Sequence, residues 1–109
     1  MADTKYNSLD PKLSSLFTNL EEQHGLPSGL LQAVAYTESR YNPNAGSKAG
    51  AQGMFQFMPA TAKEKGMEVS DEVDERYHLE KSTEAACKYL LTAKEKFGSW
   101  TLAAASYNG

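Results

Sequence analysis

Residues 27–46 decide the fold: Pro27-Ser28-Gly29-Leu30-Leu31-Gln32-Ala33-Val34-Ala35-Tyr36-Thr37-Glu38-Ser39-Arg40-Tyr41-Asn42-Pro43-Asn44-Ala45-Gly46. Pro27-Ser28 opens a helix, and Leu30, Leu31, Val34 and Ala35 recur at the three-and-four spacing of one apolar face. Asn42-Pro43-Asn44-Ala45-Gly46 is turn chemistry that ends it near Arg40. Glu38 follows Val34 by four residues and Ala35 by three, so it stands on or beside the apolar stripe. Spacing alone favours the plainer reading, a carboxylate emerging into water where the helix ends. The alternative is a half-buried carboxyl, whose pKa desolvation raises.

Working outward, Asp10-Pro11 caps and starts an earlier helix, with Leu13, Leu16, Phe17 and Leu20 on one face and Gly25 as its stop. Residues 47–59 follow neither period, and the glycines of 46–53 suggest a chain held close against something. A short helix spans 59–65 with Gly66 as its stop, and 67–81 reads as polar and irregular. Ser82 or Thr83 caps a longer helix whose stripe is Ala86, Tyr89, Leu90, Ala93 and Phe97, stopped by Gly98. Another helix begins at Trp100. The expectation is a mainly α protein of five helices with little or no β, one domain over 1–109, and residues 1–9 as a loose lead.

The gross numbers exclude several classes. A net charge of -3 does not recruit nucleic acid by electrostatics. Cys87 is the one cysteine, so no internal disulfide forms, and its helical setting reads as a buried structural thiol. No apolar run has the length of a membrane span, and residues 1–6 lack the apolar core of a secretion signal. His24 and His78 have no second ligand at metal spacing, so neither metal nor cofactor is expected.

A carboxylic acid still protonated near neutral pH is what a glycosidic leaving group requires. Glycosidases usually set two carboxylates across the bond. Glu21, Glu22, Glu64 and Glu68 lack a comparable apolar context, and Asp71, Glu72, Asp74 and Glu75 read as a solvated loop. One carboxylate, Glu38, is therefore the better reading. Ser47 and Gln56 offer the neutral donors and acceptors that suit sugar hydroxyls and N-acetyl groups, although a turn serine and a surface glutamine are equally good readings. Met54, Phe55, Phe57 and Met58 read more readily as core than as cleft.

Three segments in order carry a resemblance: 38–45, then Ser47 with 50–62, then 102–109. They resemble the lytic transglycosylases with the soluble-lytic-transglycosylase catalytic domain, related to goose-type lysozyme. Asp74-Glu75-Arg76 and 82–86 look like the branch of membrane-bound lytic murein transglycosylase D. The resemblance implies a lysozyme-like fold in which Glu38 is the catalytic acid and then base. It implies that Ser47 and Gln56 contact the glycan, Met58 lines the cleft, and Tyr107 and Asn108 face the glutamate. It places the protein in the bacterial periplasm or cell envelope, acting on peptidoglycan glycan strands. The family domain continues past Tyr-Asn-Gly, so a C-terminally truncated domain is expected. Its last helix is then left to self-associate, to find a companion segment, or to pack on the stripe of residues 86–97.

The first functional expectation is cleavage of the β-1,4 bond between N-acetylmuramic acid and N-acetylglucosamine, with 1,6-anhydromuramyl ends. The alternatives are a hydrolysing goose-type muramidase and a catalytically dead peptidoglycan-binding scaffold.

Overall fold

The computed structural model describes residues 9–107. Helix α1 spans Pro11–His24; the Asp10 carboxylate accepts from the Leu13 N–H at 2.8 Å, and Gly25 ends it in the left-handed region. Such a cap contributes about 1 kcal/mol. Leu13, Phe17 and Leu20 turn inward as the spacing implied, with Leu16 only partly covered.

Helix α2 spans Leu30–Ser39, starting later than Pro27-Ser28 suggested, and its own N-cap Gly29 offers no side chain. Glu21 of α1 supplies the cap instead. One carboxylate oxygen accepts from the Gly29 N–H at 3.1 Å and the other from the Leu31 N–H at 2.8 Å. The negative group thus meets the orphan donors and positive dipole end of α2. Glu21 is 4% exposed, so the expectation that Glu38 alone has an apolar setting fails.

Helix α3, Pro59–Glu64, is followed by a 3-10 turn at Glu75–Tyr77 and by α4, Leu79–Phe97. Helix α4 begins before Ser82 and Thr83: His78 Nδ1 accepts from the Lys81 N–H and acts as the cap. Ser82 and Thr83 are buried one turn in, where both hydroxyls donate to Leu79 O. A period-based reading put the cap too late because either residue type serves both roles. Helix α5, Trp100–Tyr107, is the fifth α-helix among the described residues.

Helix α4 packs against α1, α2, α5 and the 3-10 turn. Among the described residues there is no strand, only three isolated antiparallel bridges, Gly46 with Gln52, Gln52 with Phe57 and Val69 with Asp74. The aromatic loop dips into the centre of the helices: Met54, Phe55 and Phe57 are buried, and Phe55 meets Phe17 at 5.8 Å between ring centroids. Burying each such side chain is worth about 1.5–3 kcal/mol. Cys87 is buried as expected, and burial pushes its thiol up to about 12. Helix α5 does pack on α4 through Ala103, leaving Leu102 exposed.

Candidate active site

The last turn of α2 delivers Glu38, and that turn is latched. Ser39 Oγ donates to Met54 O at 2.7 Å and accepts from the Asn42 N–H at 3.2 Å, tying the helix end to the aromatic loop. Arg40 and Tyr41 then take left-handed backbone, at φ 53 and 66, which turns the chain sharply away. Non-glycine residues held there mark local strain that the surrounding contacts must offset.

Glu38 is half-buried, and loss of hydration raises its carboxyl pKa above the ordinary glutamate value. The plainer reading of a fully wet carboxylate is thereby replaced. The side chain opens on a cavity of about 100 Å³ lined by Ala33, Val34, Thr37, Ala104 and Tyr107. No second carboxylate lines that cavity among the described residues. Asp74 is paired with Arg76 at 2.7 Å, and Glu75 accepts from the Glu68 N–H and pairs with Lys81. Asp71 and Glu72 are exposed.

Tyr107 shares the cavity, its ring edge-on to Tyr89 at 4.9 Å and to Phe57 at 5.9 Å. Burial first, and the charge of Glu38 second, push its phenol well above the ordinary range, so it stays neutral. Its hydroxyl donates to Phe55 O at 3.0 Å, so that proton is committed to the loop and not to Glu38.

The loop presents the other residues. Gln56 sits at φ 52, and its Nε2 donates to Ala45 O at 3.1 Å and Gly53 O at 2.9 Å. Both amide protons are thus used internally, and Oε1 is the atom left to accept from a ligand. Ser47 is exposed; its Oγ accepts from the Ala51 N–H at 3.0 Å and keeps its own proton to donate. Met58 is 43% exposed while Met54 is 1% exposed, so the four apolar residues of the loop divide into three of core and one of surface. Asn108 lies outside the described residues.

Sequence reasoning missed three residues that build this site: Glu21, Ser39 as a latch, and Arg76. Arg76 is 6% exposed beneath the loop, with Nη1 donating to Gly50 O at 2.9 Å and Phe57 O at 3.0 Å. The spacing of Asp74 and Arg76 was a visible signal, but only their contacts reveal the burial. Among the described residues no three of His, Cys, Asp and Glu gather so as to hold a metal.

The model of the transglycosylase SLT domain matches residues 15–109, and the chain belongs to that family. It is 41% identical over 107 residues to the peptidoglycan transglycosylase gp16 of Escherichia phage T7, covering 95% of this chain and 8% of that protein. It is 35% identical over 79 residues to the membrane-bound lytic murein transglycosylase D of Escherichia coli strain K12, covering 72% of this chain and 18% of that protein. An X-ray structure of an inactive glutamate-to-glutamine mutant of lytic transglycosylase Slt from Pseudomonas aeruginosa superposes with a TM-score of 0.78 at 25% identity, covering 93% of this chain and 17% of that one. The mainly α, lysozyme-like class therefore stands. The chain spans under a fifth of the length of each of these relatives.

Proposed function

We propose that the chain is a lytic transglycosylase module that cleaves the β-1,4 bond between N-acetylmuramic acid and N-acetylglucosamine in peptidoglycan. The observation that carries this reading is Glu38 itself: a half-buried acid, its pKa raised, in a cavity that no second carboxylate lines among the described residues. Protonated Glu38 gives its proton to the bridging oxygen as the bond from the muramyl C1 breaks. The resulting carboxylate takes the proton of the muramyl C6 hydroxyl, whose oxygen closes on C1 to form the 1,6-anhydro ring. One carboxyl is restored at the end, and no water is consumed. Hydrolysis of goose-lysozyme type needs a carboxylate placed to activate water, and no described residue offers one in that cavity.

Gln56 Oε1 and the Ser47 hydroxyl are assigned to glycan hydroxyl and amide groups, Met58 to an apolar face of the cleft, and Tyr107 and Asn108 to the wall beside Glu38. Tyr107 acts there as a neutral spacer that tunes Glu38 through burial. The Slt protein of Pseudomonas aeruginosa is inactive when one glutamate is replaced by glutamine, which supports an essential carboxyl at the corresponding step here. The site of action we infer is the bacterial periplasm or cell envelope, where the polymer lies. Among the described residues no helix is long and apolar enough to cross a membrane.

The test is digestion of purified peptidoglycan with mass spectrometry of the released ends. Anhydromuramyl ends support the reading, reducing ends convert it to hydrolysis, and no release leaves a binding scaffold. Glu38→Gln removes the proton and keeps the shape; turnover falls about a hundred- to ten-thousand-fold while glycan binding persists. Substantial residual turnover moves the acid elsewhere.

The surface around α5 adds a finer proposal. Leu102 is 53% exposed, beside a groove of about 350 Å³ lined by Leu30, Trp100 and Ala104 among others. We take this face to be covered in the working protein by a second copy or a companion segment. Light scattering that shows a clean monomer without binding of a surface-sensing dye overturns that part alone.

A further inference from the structure

We propose that Arg76 is a positioning residue for glycan binding, its buried guanidinium setting the shape of the loop that carries Gln56 and Met58; this rests on the transglycosylase reading above. Arg76 grips the loop at both stems, through Gly50 O at 2.9 Å and Phe57 O at 3.0 Å. The fork is completed by Asp74, which accepts from Nε at 2.9 Å and from Nη2 at 2.7 Å. Between the stems, the Arg76 carbonyl lies where a Cβ on Gly53 would stand, 2.0 Å away, so the loop is seated on the backbone of Arg76 as well as on its side chain. The neighbouring Tyr77 hydroxyl donates to Gln52 Oε1, a further contact from the same 3-10 turn to the loop.

Several observations separate this from a generic buried ion pair. Desolvating a guanidinium is costly, and apolar replacements of buried pairs are often as stable, so the charge itself is a poor stabiliser. What it supplies here is geometry: one planar fork reaching two carbonyls and a carboxylate, which an ammonium cannot reproduce. The loop has other ties, among them the backbone pair of Gln52 and Phe57, the Gly53 N–H to Ala45 O, and the Ser39 and Tyr107 hydroxyls on Met54 O and Phe55 O. Among the described side chains, however, Arg76 is the one that bonds carbonyls at both stems, Gly50 and Phe57. Glu38 is carried by α2, whose N-terminus Glu21 holds separately and whose last turn meets the loop through Ser39 at Met54, between the stems that Arg76 grips. Loosening the loop therefore weakens glycan contact more than it disturbs the acid.

The experiment compares Arg76→Lys with the unaltered chain, with amide hydrogen exchange followed by NMR and steady-state kinetics on soluble peptidoglycan strands. Exchange at Gln52, Gln56 and Phe57 is expected to quicken about tenfold, while α1 and α4 stay unchanged. KM rises about tenfold and kcat stays within about twofold, the split expected when uniform binding is lost. Uniform acceleration of exchange, or a fall in kcat at constant KM, overturns the proposal. If Arg76→Lys does not fold, Asp74→Asn, which leaves the guanidinium in place, is expected to quicken the same amides by less; acceleration everywhere again overturns it. If the unaltered chain neither binds nor cleaves strands, the transglycosylase reading fails and the glycan-binding role of Arg76 falls with it. The exchange pattern then still decides whether Arg76 shapes the loop.

Discussion

Helix α2 and the loop 46–58 each bring part of the candidate site, from different kinds of structure. Helix α2 presents Glu38 from a regular element whose backbone bonds are largely its own, with borrowed contacts only at its ends, from Glu21 and through Ser39. The loop presents Ser47, Gln56 and Met58 from irregular backbone. Two of its carbonyls, those of Gly50 and Phe57, are bonded by a distant arginine, and its aromatic side chains serve as core. Failure of a contact at the end of α2 leaves most of the helix standing, whereas failure of a contact to the loop removes part of what defines its shape.

The largest expected effect is at Gly53. Its φ is +88, and a Cβ there meets Arg76 O at 2.0 Å, a backbone atom that cannot swing aside. Gly53→Ala is expected to cost about 3 kcal/mol or more and to abolish glycan binding, because the loop must lift from the 3-10 turn. Thermal denaturation with glycan titration checks it. A variant that binds normally shows that the loop does not depend on this seat, and the contrast with α2 dissolves.

That difference also explains what could be read from sequence. The stripe of Leu31, Val34 and Ala35 and the position of Glu38 followed from local periodicity, and so did the cap at Asp10 and the stop at Gly25. The glycines of the loop announced a close approach without saying to what. The answer, Arg76, lies 23 residues beyond Gly53 in a stretch that read as polar and irregular. Glu21 escaped for the same reason: on α1 it looks like one more acid of a wet face, and only the packing of α1 against α2 makes it a cap. Side chains whose partners are distant in sequence carry no local period.

A smaller effect tests the α2 side. Glu21→Gln retains one acceptor but presents amide protons to the N–H donors of Gly29 and Leu31. The cost is expected at about 1–3 kcal/mol in thermal or denaturant unfolding. Amide exchange should quicken along α2 while Gln52 and Phe57 stay protected. Acceleration in the loop as well means that the two regions are one cooperative unit, and the comparison must be redrawn.

The smallest expected effect is at acid pH, where the two regions should respond with opposite sign. Asp74 is held below the ordinary carboxylate range, first by the side-chain hydrogen bonds of Arg76, against partial desolvation, with the Arg76 backbone N–H and charge adding to it. A carboxyl with a depressed folded pKa stabilises the fold fully above its unfolded value of about 3.9, and that stabilisation drains as pH falls through the lower folded value. Glu38 is the reverse case. Its raised pKa means that the folded state gains stability as pH falls through that value, because the buried form is the neutral one. Acidification below about pH 4 should therefore loosen the loop while the end of α2 holds. The change is modest, since the Asp74 side chain keeps 23% of its exposure and water screens the pair. Amide exchange extrapolated to a common intrinsic rate is the measurement: Gln52 and Phe57 should lose protection before the last turn of α2, and Asp74→Asn should flatten that dependence. If both regions lose protection in parallel, Asp74 and Arg76 do not set the acid response of the loop.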